Sequence, residues 1–308
     1  MKPAAFALLL GITVSAPSAE AITRARYLMG TVCEIDAPDS HEIDAAFDEA
    51  SRIERMISTW RKDSELSQLN AAGDLAVSQN LYGLLHIAMQ IAEETGGAFN
   101  PLVRPLIDLW QTRGRGSVPT PEAIADVLPR IALANVTFDR GTIHLANHAQ
   151  FEEGGFGKGY ALDRMLEKIS ARHLVVNFGG QLLVRGSERV TIADPRDRRL
   201  PLVSLVLRNA SLSTSSGSEK AFKIDGVRFS HIIDPRTGIA LPPGGSVSVI
   251  SASGLAADAL STALYVMGRE RGMTWCHLHS VTAIFISESG QVTTTSPIEG
   301  LTTLKESV

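Results

Sequence analysis

Two oxygen-bearing side chains, Asp258 and Thr262, stand four residues apart in the apolar segment AADALSTALYVMG at 256–268. Residues four apart share one face of a helix, and the apolar neighbours indicate that this helix is largely buried. A carboxylate and a hydroxyl are hard oxygen ligands that suit Mg²⁺, usually alongside substrate phosphates. The alternative is structural: Asp258 caps the start of the helix, and Thr262 bonds back to a helix carbonyl. Without further context, the structural alternative is the more common one.

A glycine-rich segment, EEGGFGKGYALD at 152–163, places Lys158 just before a predicted helix. Glycines let the backbone approach a ligand closely, and the start of a helix offers N–H groups to a phosphate. The segment is not a Walker A loop, because Gly159 stands where that loop has Ser or Thr. It is not a GxGxxG fingerprint either, because Tyr160 replaces the last glycine. A phosphate cradle and a flexible turn both stay open.

His231 lies in FSHIIDPRTG at 229–238, where an apolar run is followed by a predicted tight turn. The ring can be a satisfied core histidine, a metal ligand or a catalytic group. Two other segments are interpreted structurally. The polar segment NASLSTSSGSEKAF at 209–222 is predicted to be a turn, and the double glycine in NFGGQLLVRG at 177–186 a bulge or close backbone approach inside a strand.

The composition is that of a globular protein without a nucleic-acid footprint. The chain has 308 residues, of which 44% are apolar and 20% charged, and its formal net charge is −4. Its two cysteines, Cys33 and Cys276, could pair but form no disulfide framework. The eight histidines have no metal-ligand spacing, and neither HExxH nor GxSxG occurs. An anionic ligand would therefore need a local cradle.

The first residues, MKPAAFALLLGITVSAPSAEA, carry Lys2, an apolar stretch at 4–16 and a small-residue end. This arrangement predicts a secretory signal peptide at 1–21, cleaved after Ala21, because the stretch is too short to span a bilayer comfortably. No cysteine stands where a lipoprotein signal would need one. The mature chain, 22–308, is expected to form a single domain in an exported compartment, the periplasm of a Gram-negative source.

Hydrophobic periodicity predicts helices and strands in an order typical of α+β proteins with antiparallel sheets and packed helices. A helix opened by Asp39, with Glu42 as capping-box partner, is followed by helices opened by Ser78 and Thr120. The strands predicted further along include a hairpin across 139–141, and two more helices follow Lys158 and cover 255–268. The segment at 111–122 is predicted to be a surface loop.

Taken in order, these pieces resemble one family, the ApbE-type flavin transferases (FAD:protein FMN transferases). The resemblance covers nearly the whole mature chain. Its motifs are LMGT at 28–31, TGGAFNPLVRPLIDLW at 95–110, GGFGKGYALD at 154–163, NFGGQLLVRG at 177–186, STSSG at 213–217, SHIIDPRTG at 230–238 and ADALSTALYVMG at 257–268. It implies an ApbE-like, T-fold-like architecture and an enzyme that splits FAD at its pyrophosphate with Mg²⁺. The FMN half is joined through phosphate to a threonine of a target protein, and AMP leaves.

The resemblance also implies roles for individual residues. Asp258 and Thr262 match the side-chain ligands of Mg²⁺, Gly155 matches a third metal contact through its backbone, and His231 matches the histidine implicated in transfer. The positions that match FAD contacts are Met29, Trp60, Ala98, Phe99, Asn100, Glu152, Lys158, Ile233 and Ser261. Asn100 stands where the family commonly has Asp, and Glu152 where Asp is more frequent.

The acceptors implied by the resemblance are threonine-bearing subunits of membrane redox complexes or regulators, of the Rnf, Na⁺-translocating quinone reductase or NosR (nitrous-oxide regulator) type. Two alternatives stay open. One is an FAD pyrophosphatase that uses water in place of threonine and releases FMN and AMP. The other is a periplasmic flavin-binding protein without turnover.

Overall fold

The computed structural model describes residues 21–304. Apart from Ala21, the predicted signal peptide therefore lies outside the described residues. The predicted α+β class is confirmed. The helices are α1 (Ser40–Ile57), α2 (Glu65–Ala72), α3 (Gln79–Glu94), α4 (Arg104–Trp110), α5 (Pro121–Val127), α6 (Gly157–Leu166) and α7 (Gly254–His279). The strands are β1 (Ile22–Leu28), β2 (Thr31–Ala37), β3 (Asp74–Ala76), β4 (Val136–Asp139), β5 (Thr142–Leu145), β6 (Leu174–Phe178), β7 (Gln181–Ala193), β8 (Pro201–Ser215), β9 (Phe222–Ile224), β10 (Val227–Phe229), β11 (Ile233–Asp234), β12 (Ile239–Ala240), β13 (Ser246–Ser251), β14 (Thr282–Ile286), β15 (Val292–Thr294) and β16 (Thr302–Thr303).

One large antiparallel sheet organises the fold. Its strands follow the order β1-β2-β6-β7-β8-β13-β14-β15, and β16 pairs with the first half of β8. The order skips from β2 to β6 and from β8 to β13, so the helical segments and the small hairpins are insertions between neighbouring strands. A three-stranded sheet of β3, β5 and β4 and the hairpins β9–β10 and β11–β12 complete the topology. The hairpin predicted across 139–141 is confirmed as β4–β5.

Helix α1 begins where the sequence predicts and buries the predicted face. The Asp39 carboxylate caps the helix by accepting hydrogen bonds from the N–H groups of His41 and Glu42. The predicted capping box is wrong in one respect, because the Glu42 carboxylate does not reach back to Asp39. It accepts hydrogen bonds from the backbone and hydroxyl of Ser170, and so ties α1 to the segment after α6. All seven apolar residues of the predicted face are buried: Ile43, Ala46, Phe47, Ala50, Ile53, Met56 and Ile57.

Buried apolar residues form two clusters. The larger lies among the helices, the sheet and the hairpin β11–β12, and includes residues from α1, α3, α6 and α7. The smaller is built from β6, β7, β8 and β14, with Ile298 and Leu301 packed against it. Helices α6 and α7 are therefore buried between other elements, and their contacting faces are hidden from bulk solvent. None of the helices described within 21–304 is long and apolar enough to cross a membrane.

Three local predictions are corrected by the structure. The segment 209–222 is not a polar turn throughout, because residues 209–215 continue β8 as a strand. Gly179 and Gly180 form the turn between β6 and β7 rather than a bulge, with φ of 61° and 89°; the register shift of β7 lies near Gly186 instead. Helix α7 does not stop at Gly268: the chain kinks there, with φ of 74°, and continues helically to His279.

The two cysteines do not pair. Cys33 and Cys276 are both free and buried, and burial raises the pKa of each thiol. Thiolate, the reactive form, is therefore disfavoured at both positions. They behave as small core residues.

Candidate active site

Helix α7 lies along the end of β8, and the two elements meet in three successive contacts. The Ser213 hydroxyl donates to Asp258 Oδ1 at 3.3 Å, and the Ser215 hydroxyl lies 3.2 Å from Thr262 Oγ1. One step further, Gly217 packs against the hydroxyl of Tyr265. The spacing matches because four helical residues rise about 6 Å and two strand residues about 6.6 Å. We call this line of contacts the α7–β8 seam.

The structural alternative for Asp258 and Thr262 is wrong for the first residue and right for the second. Asp258 does not cap α7, because Ser253 is the capping residue. The Thr262 hydroxyl does lie within 3.4 Å of the Asp258 carbonyl oxygen, as the structural alternative proposes. The Asp258 side chain is 5% exposed, and its partners are neutral donors rather than a cation. A buried carboxylate without a cationic partner is costly, and a metal ion would supply the missing positive charge.

The glycine-rich segment connects three parts of the site. Glu152, at its beginning, is buried beside Arg113. In its middle, a Cβ placed at Gly155 would lie 3.6 Å from Thr262 Oγ1 and 3.2 Å from the Phe99 ring. At the start of α6, the Gly159 N–H donates to Asp258 Oδ2 at 3.1 Å. The segment is thus a backbone wall facing the seam, which favours the cradle interpretation over a flexible turn.

The donor set fits Mg²⁺ that shares its coordination with a phosphate. Within residues 21–304 no group of three or more His, Cys, Asp or Glu side chains is placed to hold a metal. The seam offers one carboxylate (Asp258), one hydroxyl (Thr262) and a nearby backbone (Gly155). Mg²⁺ commonly uses one or two carboxylates and leaves its other positions to water and substrate phosphates. Ser261 is also at the seam, where its hydroxyl lies 2.8 Å from that of Ser215.

Asp163 fixes the position of α7 relative to α6. Its carboxylate accepts hydrogen bonds from the Gly254 and Leu255 N–H groups, at 2.5 and 3.0 Å, and from the Ser253 hydroxyl at 2.8 Å. A carboxylate at a helix N-terminus also interacts favourably with the helix dipole. Burial raises the pKa of Asp163, and these three donors oppose that shift. The start of α7, which carries Asp258, is therefore held by a side chain of α6.

His231 is half-buried next to cationic side chains. Its Nδ1 is buried and has no hydrogen-bond partner among residues 21–304. Burial lowers the pKa of the ring to about 4, and nearby Lys220, Lys158 and Arg198 act in the same direction, while Glu219 opposes them. The imidazole is therefore neutral at pH 7 and can accept a proton. A satisfied core histidine would have a hydrogen-bond partner on its buried nitrogen, and Nδ1 has none among residues 21–304.

The turn after His231 is built as its sequence indicates. Asp234 Oδ1 and Oδ2 accept from the Arg236 guanidinium at 2.9 and 2.8 Å, and the Arg236 N–H adds a third bond at 2.9 Å. The Gly238 N–H donates to the Asp234 carbonyl at 2.8 Å, with φ of 72° at the glycine. The Gly238 carbonyl in turn accepts from the Trp110 indole at 2.8 Å. This turn closes the β11–β12 hairpin, in which Ile233 is buried.

A second polar cluster lies around Glu152. The carboxylate is bonded to the Arg113 guanidinium and lies near the Thr59 hydroxyl and Glu153. Burial, followed by repulsion from Glu153, raises the pKa of Glu152 to about 7, although Arg113 opposes both effects. Arg113 also lies over the Trp60 ring, 4.5 Å from its centroid. Trp60 is 70% exposed, so its ring presents one face to Arg113 and leaves apolar surface open to a ligand.

The side chains of several other predicted FAD contacts are buried or already bonded, and are therefore less able to contact a ligand. Met29 is partly buried and reaches toward Gly157, whereas Ala98 and Phe99 are buried in the larger core. The Asn100 amide is fully engaged: it donates to the Ile131 carbonyl at 2.9 Å and accepts from the Leu102 N–H at 2.8 Å. Any contact at these buried positions would therefore use the backbone.

Sequence reasoning missed several residues that build the site. The serines at 213 and 215 alternate along a strand, and that alternation was the available signal for a polar strand face. Arg113 lies in the predicted surface loop at 111–122, and nothing local indicates that it reaches Glu152. In the sequence Gly159 is one member of a glycine run, and nothing local indicates that its N–H holds Asp258.

Comparison with known proteins decides the family. The ApbE family profile matches residues 29–285. The chain belongs to the ApbE family. Relatives include the FAD:protein FMN transferase of Treponema pallidum, 32% identical over 287 residues that cover 81% of this chain and 79% of that protein. The FAD:protein FMN transferase of Klebsiella pneumoniae is 30% identical over 260 residues, covering 77% and 74%.

Solved structures confirm the expected ApbE-like architecture. The ApbE protein of Thermotoga maritima superposes with a TM-score of 0.81 at 27% identity, covering 91% of this chain and 97% of that one. The flavin transferase ApbE of Vibrio cholerae superposes with a TM-score of 0.78 at 26% identity, covering 92% and 98%. The overall fold described above is therefore that of the solved ApbE structures.

Proposed function

We propose that this chain is a Mg²⁺-dependent FAD:protein FMN transferase that joins FMN, through its phosphate, to a threonine hydroxyl and releases AMP. Membership of the ApbE family, with relatives named as such transferases, makes the chain a flavin-transferring enzyme. The observation that carries the finer proposal is the seam. Asp258 and Thr262 lie side by side on α7, opposite the Gly155 backbone, and no cationic side chain within residues 21–304 bonds the buried carboxylate.

In this reaction the threonine oxygen attacks the flavin-side phosphorus of the FAD pyrophosphate. A new phosphorus–oxygen bond forms, the bond to the bridging oxygen breaks, and AMP leaves with that electron pair. Asp258 and Thr262, with the Gly155 backbone, would hold Mg²⁺, which would supply charge neutralisation at the phosphates. The backbone wall at Gly155 holds the phosphates close, and Lys158 adds positive potential. Such transfer depends mostly on positioning and charge neutralisation.

His231 is proposed to take the threonine proton. The ring is neutral at pH 7, because burial lowers its pKa to about 4. We propose that Nε2 accepts the threonine proton, because Nδ1 is the nitrogen that is buried without a partner. A low pKa makes the ring a weak base in the free enzyme, and phosphate charge bound nearby would raise it toward the working pH.

The flavin and adenine rings need apolar or aromatic surface, and the Trp60 face is the exposed candidate. Its ring is already oriented by Arg113. Glu152, beside it, has a pKa near neutrality, so its charge responds to whatever binds there. We propose that Trp60 and Glu152 contact FAD through their side chains, and that Met29, Ala98, Phe99, Asn100 and Ile233 do so mainly through packing or backbone.

The test is covalent labelling of a threonine-bearing acceptor, followed by mass spectrometry of the acceptor and chromatography of the nucleotides. With FAD and Mg²⁺ we expect an acceptor heavier by FMN less water, together with one AMP per label. Release of FMN and AMP with no labelled acceptor would establish the pyrophosphatase alternative. FAD that binds but stays intact for hours would establish a flavin-binding protein without turnover.

Asp258→Asn tests the metal site directly. The amide keeps the shape of the side chain but loses its charge, so we expect Mg²⁺ to be needed at about tenfold or greater concentration. Asp139→Asn, at an exposed hairpin end with a side chain 68% exposed, makes the same chemical change away from the seam and serves as control. Unchanged Mg²⁺ dependence in Asp258→Asn would remove the ligand assignment.

The acceptor and the compartment are proposed from the sequence. A secretory signal at 1–21 would place the enzyme in the periplasm, where it would meet the exposed part of an Rnf, Na⁺-translocating quinone reductase or NosR-type subunit. Flavinylation of candidate subunits in periplasmic extracts, with and without this chain, distinguishes among the three.

A further inference from the structure

An open, polar cleft of about 340 Å³ lies beside the candidate active site and is not accounted for by the residues described so far. Three arginines and one glutamate supply its charge. Its lining residues are Pro195, Arg196, Arg198, Ser218, Arg228, Pro243, Gly244, Gly245 and Glu288. None of these lining residues is a candidate FAD or metal residue, so the cleft is an additional surface next to the candidate active site.

The cleft begins where the α7–β8 seam ends. Ser215 contacts Thr262 in the seam, and three residues later Ser218 lines the cleft. Between them, a Cβ placed at Gly217 would lie 3.0 Å from Pro243 Cα, a lining residue, and 3.1 Å from Ser230 Oγ. Ser230 directly precedes His231, so the wall of the cleft packs against the segment that carries the proposed base.

The three arginines of the cleft differ in how strongly their guanidinium groups are paired with carboxylates. Arg196 is bonded to both oxygens of Asp194, which neutralises it. Arg198 lies 3.6 Å from Glu219, a longer and partly exposed pair. The Arg228 guanidinium has no ion pair or hydrogen bond with any residue that the structure describes, and it is exposed. Positive charge therefore remains available at the mouth of the cleft, in a chain whose net charge is −4.

We propose that this cleft binds the acceptor polypeptide next to its threonine, and that Arg228, assisted by Arg198, binds an acidic side chain of that polypeptide. The inference rests on the proposed function, because it concerns the second substrate of that reaction. A threonine that reaches His231 must bring its neighbouring residues across the adjoining surface, and the cleft is the concave part of that surface. A guanidinium matches a carboxylate in geometry as well as charge.

The lining favours a peptide over a nucleotide. It contains no aromatic side chain and little apolar surface beyond two prolines, and a purine or flavin ring needs such surface. Gly244 and Gly245 add no side chain to the lining, which leaves room for the backbone of an extended peptide to approach. Positive charge at the mouth would also steer an acidic acceptor toward the site.

The test uses the full mature chain with two synthetic peptides that differ by one residue. Both carry a threonine among Ser, Ala and Gly; one has an Asp, the other a Lys, and the position of this residue is scanned from two to seven residues on either side. Transfer is followed by mass spectrometry. Arg228→Glu is compared with the wild type, and Arg140→Glu, at a distant exposed hairpin tip, changes the net charge equally.

We expect the wild type to prefer an Asp peptide at one position, and Arg228→Glu to raise the KM for that peptide by roughly three- to tenfold, the range for loss of an exposed ion pair and its replacement by repulsion. The same variant should recover with the Lys peptide, and Arg140→Glu should match the wild type. Equal KM values for Arg228→Glu and the wild type would overturn the inference. A changed KM for FAD would assign the cleft to the nucleotide and overturn it too. A wild type that cleaves FAD but labels no threonine in any acceptor refutes the proposed function, and the inference falls with it.

Discussion

Gly159 lies where α6 crosses the start of α7, and replacing it with alanine tests the geometry of the whole site. A Cβ at this position would lie 2.5 Å from the Gly254 carbonyl carbon and 2.8 Å from Leu255 Cα, whereas ordinary contact begins at 3.4 Å. The obstructing atoms are backbone and cannot rotate away. Gly159→Ala must therefore push the two helices apart by about 1 Å in a region packed at native density.

The expected change in the free energy of unfolding of Gly159→Ala combines two destabilising effects and one stabilising effect. Overpacking of a buried contact costs about 1–3 kcal/mol. The Gly159 N–H donates to the Asp258 carboxylate at 3.1 Å, and loss of a bond to a charged group costs about 1.5–3 kcal/mol. Alanine returns about 1 kcal/mol through its higher helix propensity. We expect the free energy of unfolding to fall by about 1.5–5 kcal/mol, with weaker Mg²⁺ dependence of FAD binding because Asp258 loses a positioning donor.

Urea unfolding followed by circular dichroism measures the first effect, and Mg²⁺ titration of FAD binding measures the second. Gly83→Ala is the matched control. Gly83 also lies in a helix, α3, but nothing stands within 4 Å of the added Cβ, so this change should be neutral or stabilise by up to about 1 kcal/mol. If Gly159→Ala unfolds no more readily than Gly83→Ala, the close approach of α6 and α7 is not as described.

Three further predictions concern the rest of the site. Trp60→Ala should change the free energy of unfolding by less than about 1 kcal/mol, because the ring is exposed and lies against Arg113. It should weaken FAD binding about tenfold or more, because a stacking surface is lost. FAD fluorescence titration measures the dissociation constant, and an unchanged value would contradict the assignment of Trp60. Burial lowers the pKa of the His231 ring in the free enzyme to about 4, so protonation disables the base only in acid, and kcat/KM for FAD, which reports the free enzyme, should stay level from pH 8 down to about 5.5; a decline of kcat/KM centred on the ordinary histidine value of 6.5 would contradict this. Asp234→Asn breaks the paired bonds to Arg236 and should cost about 1–3 kcal/mol in urea unfolding; a loss below about 0.5 kcal/mol would mean that the turn does not depend on the pair.

Elements defined by local physics were predictable from the sequence. Helix α1 begins at its Asp39 cap and buries its periodic apolar face because both signals act within a few residues. The turn at 234–238 is similarly local, since Asp234 bonds groups two to four residues later. The pairing of Asp258 with Thr262 on one helix face also follows from spacing alone.

Features that depend on distant partners were not predictable in the same way. The serines of 209–215 look like turn residues, and they form a strand because residues 211–215 pair with β13, while Ser213 and Ser215 find polar partners on α7. Arg113 belongs to a loop in sequence, and only the fold brings it to Glu152 and Trp60. Gly268 likewise marks a kink in α7 and not its end. A glycine in the sequence is compatible with either, so composition does not distinguish them.

The α7–β8 seam also has a consequence for folding. Asp258 is held by partners 45 and 99 residues away in the chain, and Asp163 accepts a hydrogen bond from the start of α7 across 91 residues. Contacts of such long range form late, because the loops that they close must lose their entropy first. Before α7 has docked, the pair proposed to bind Mg²⁺ is not yet in place beside β8, so we expect Mg²⁺ with FAD to bind only the completed fold. Binding of Mg²⁺ and FAD at the seam should therefore stabilise the whole folded molecule by mass action, and not one loop alone. During folding, activity would then appear in a single step, when α7 docks.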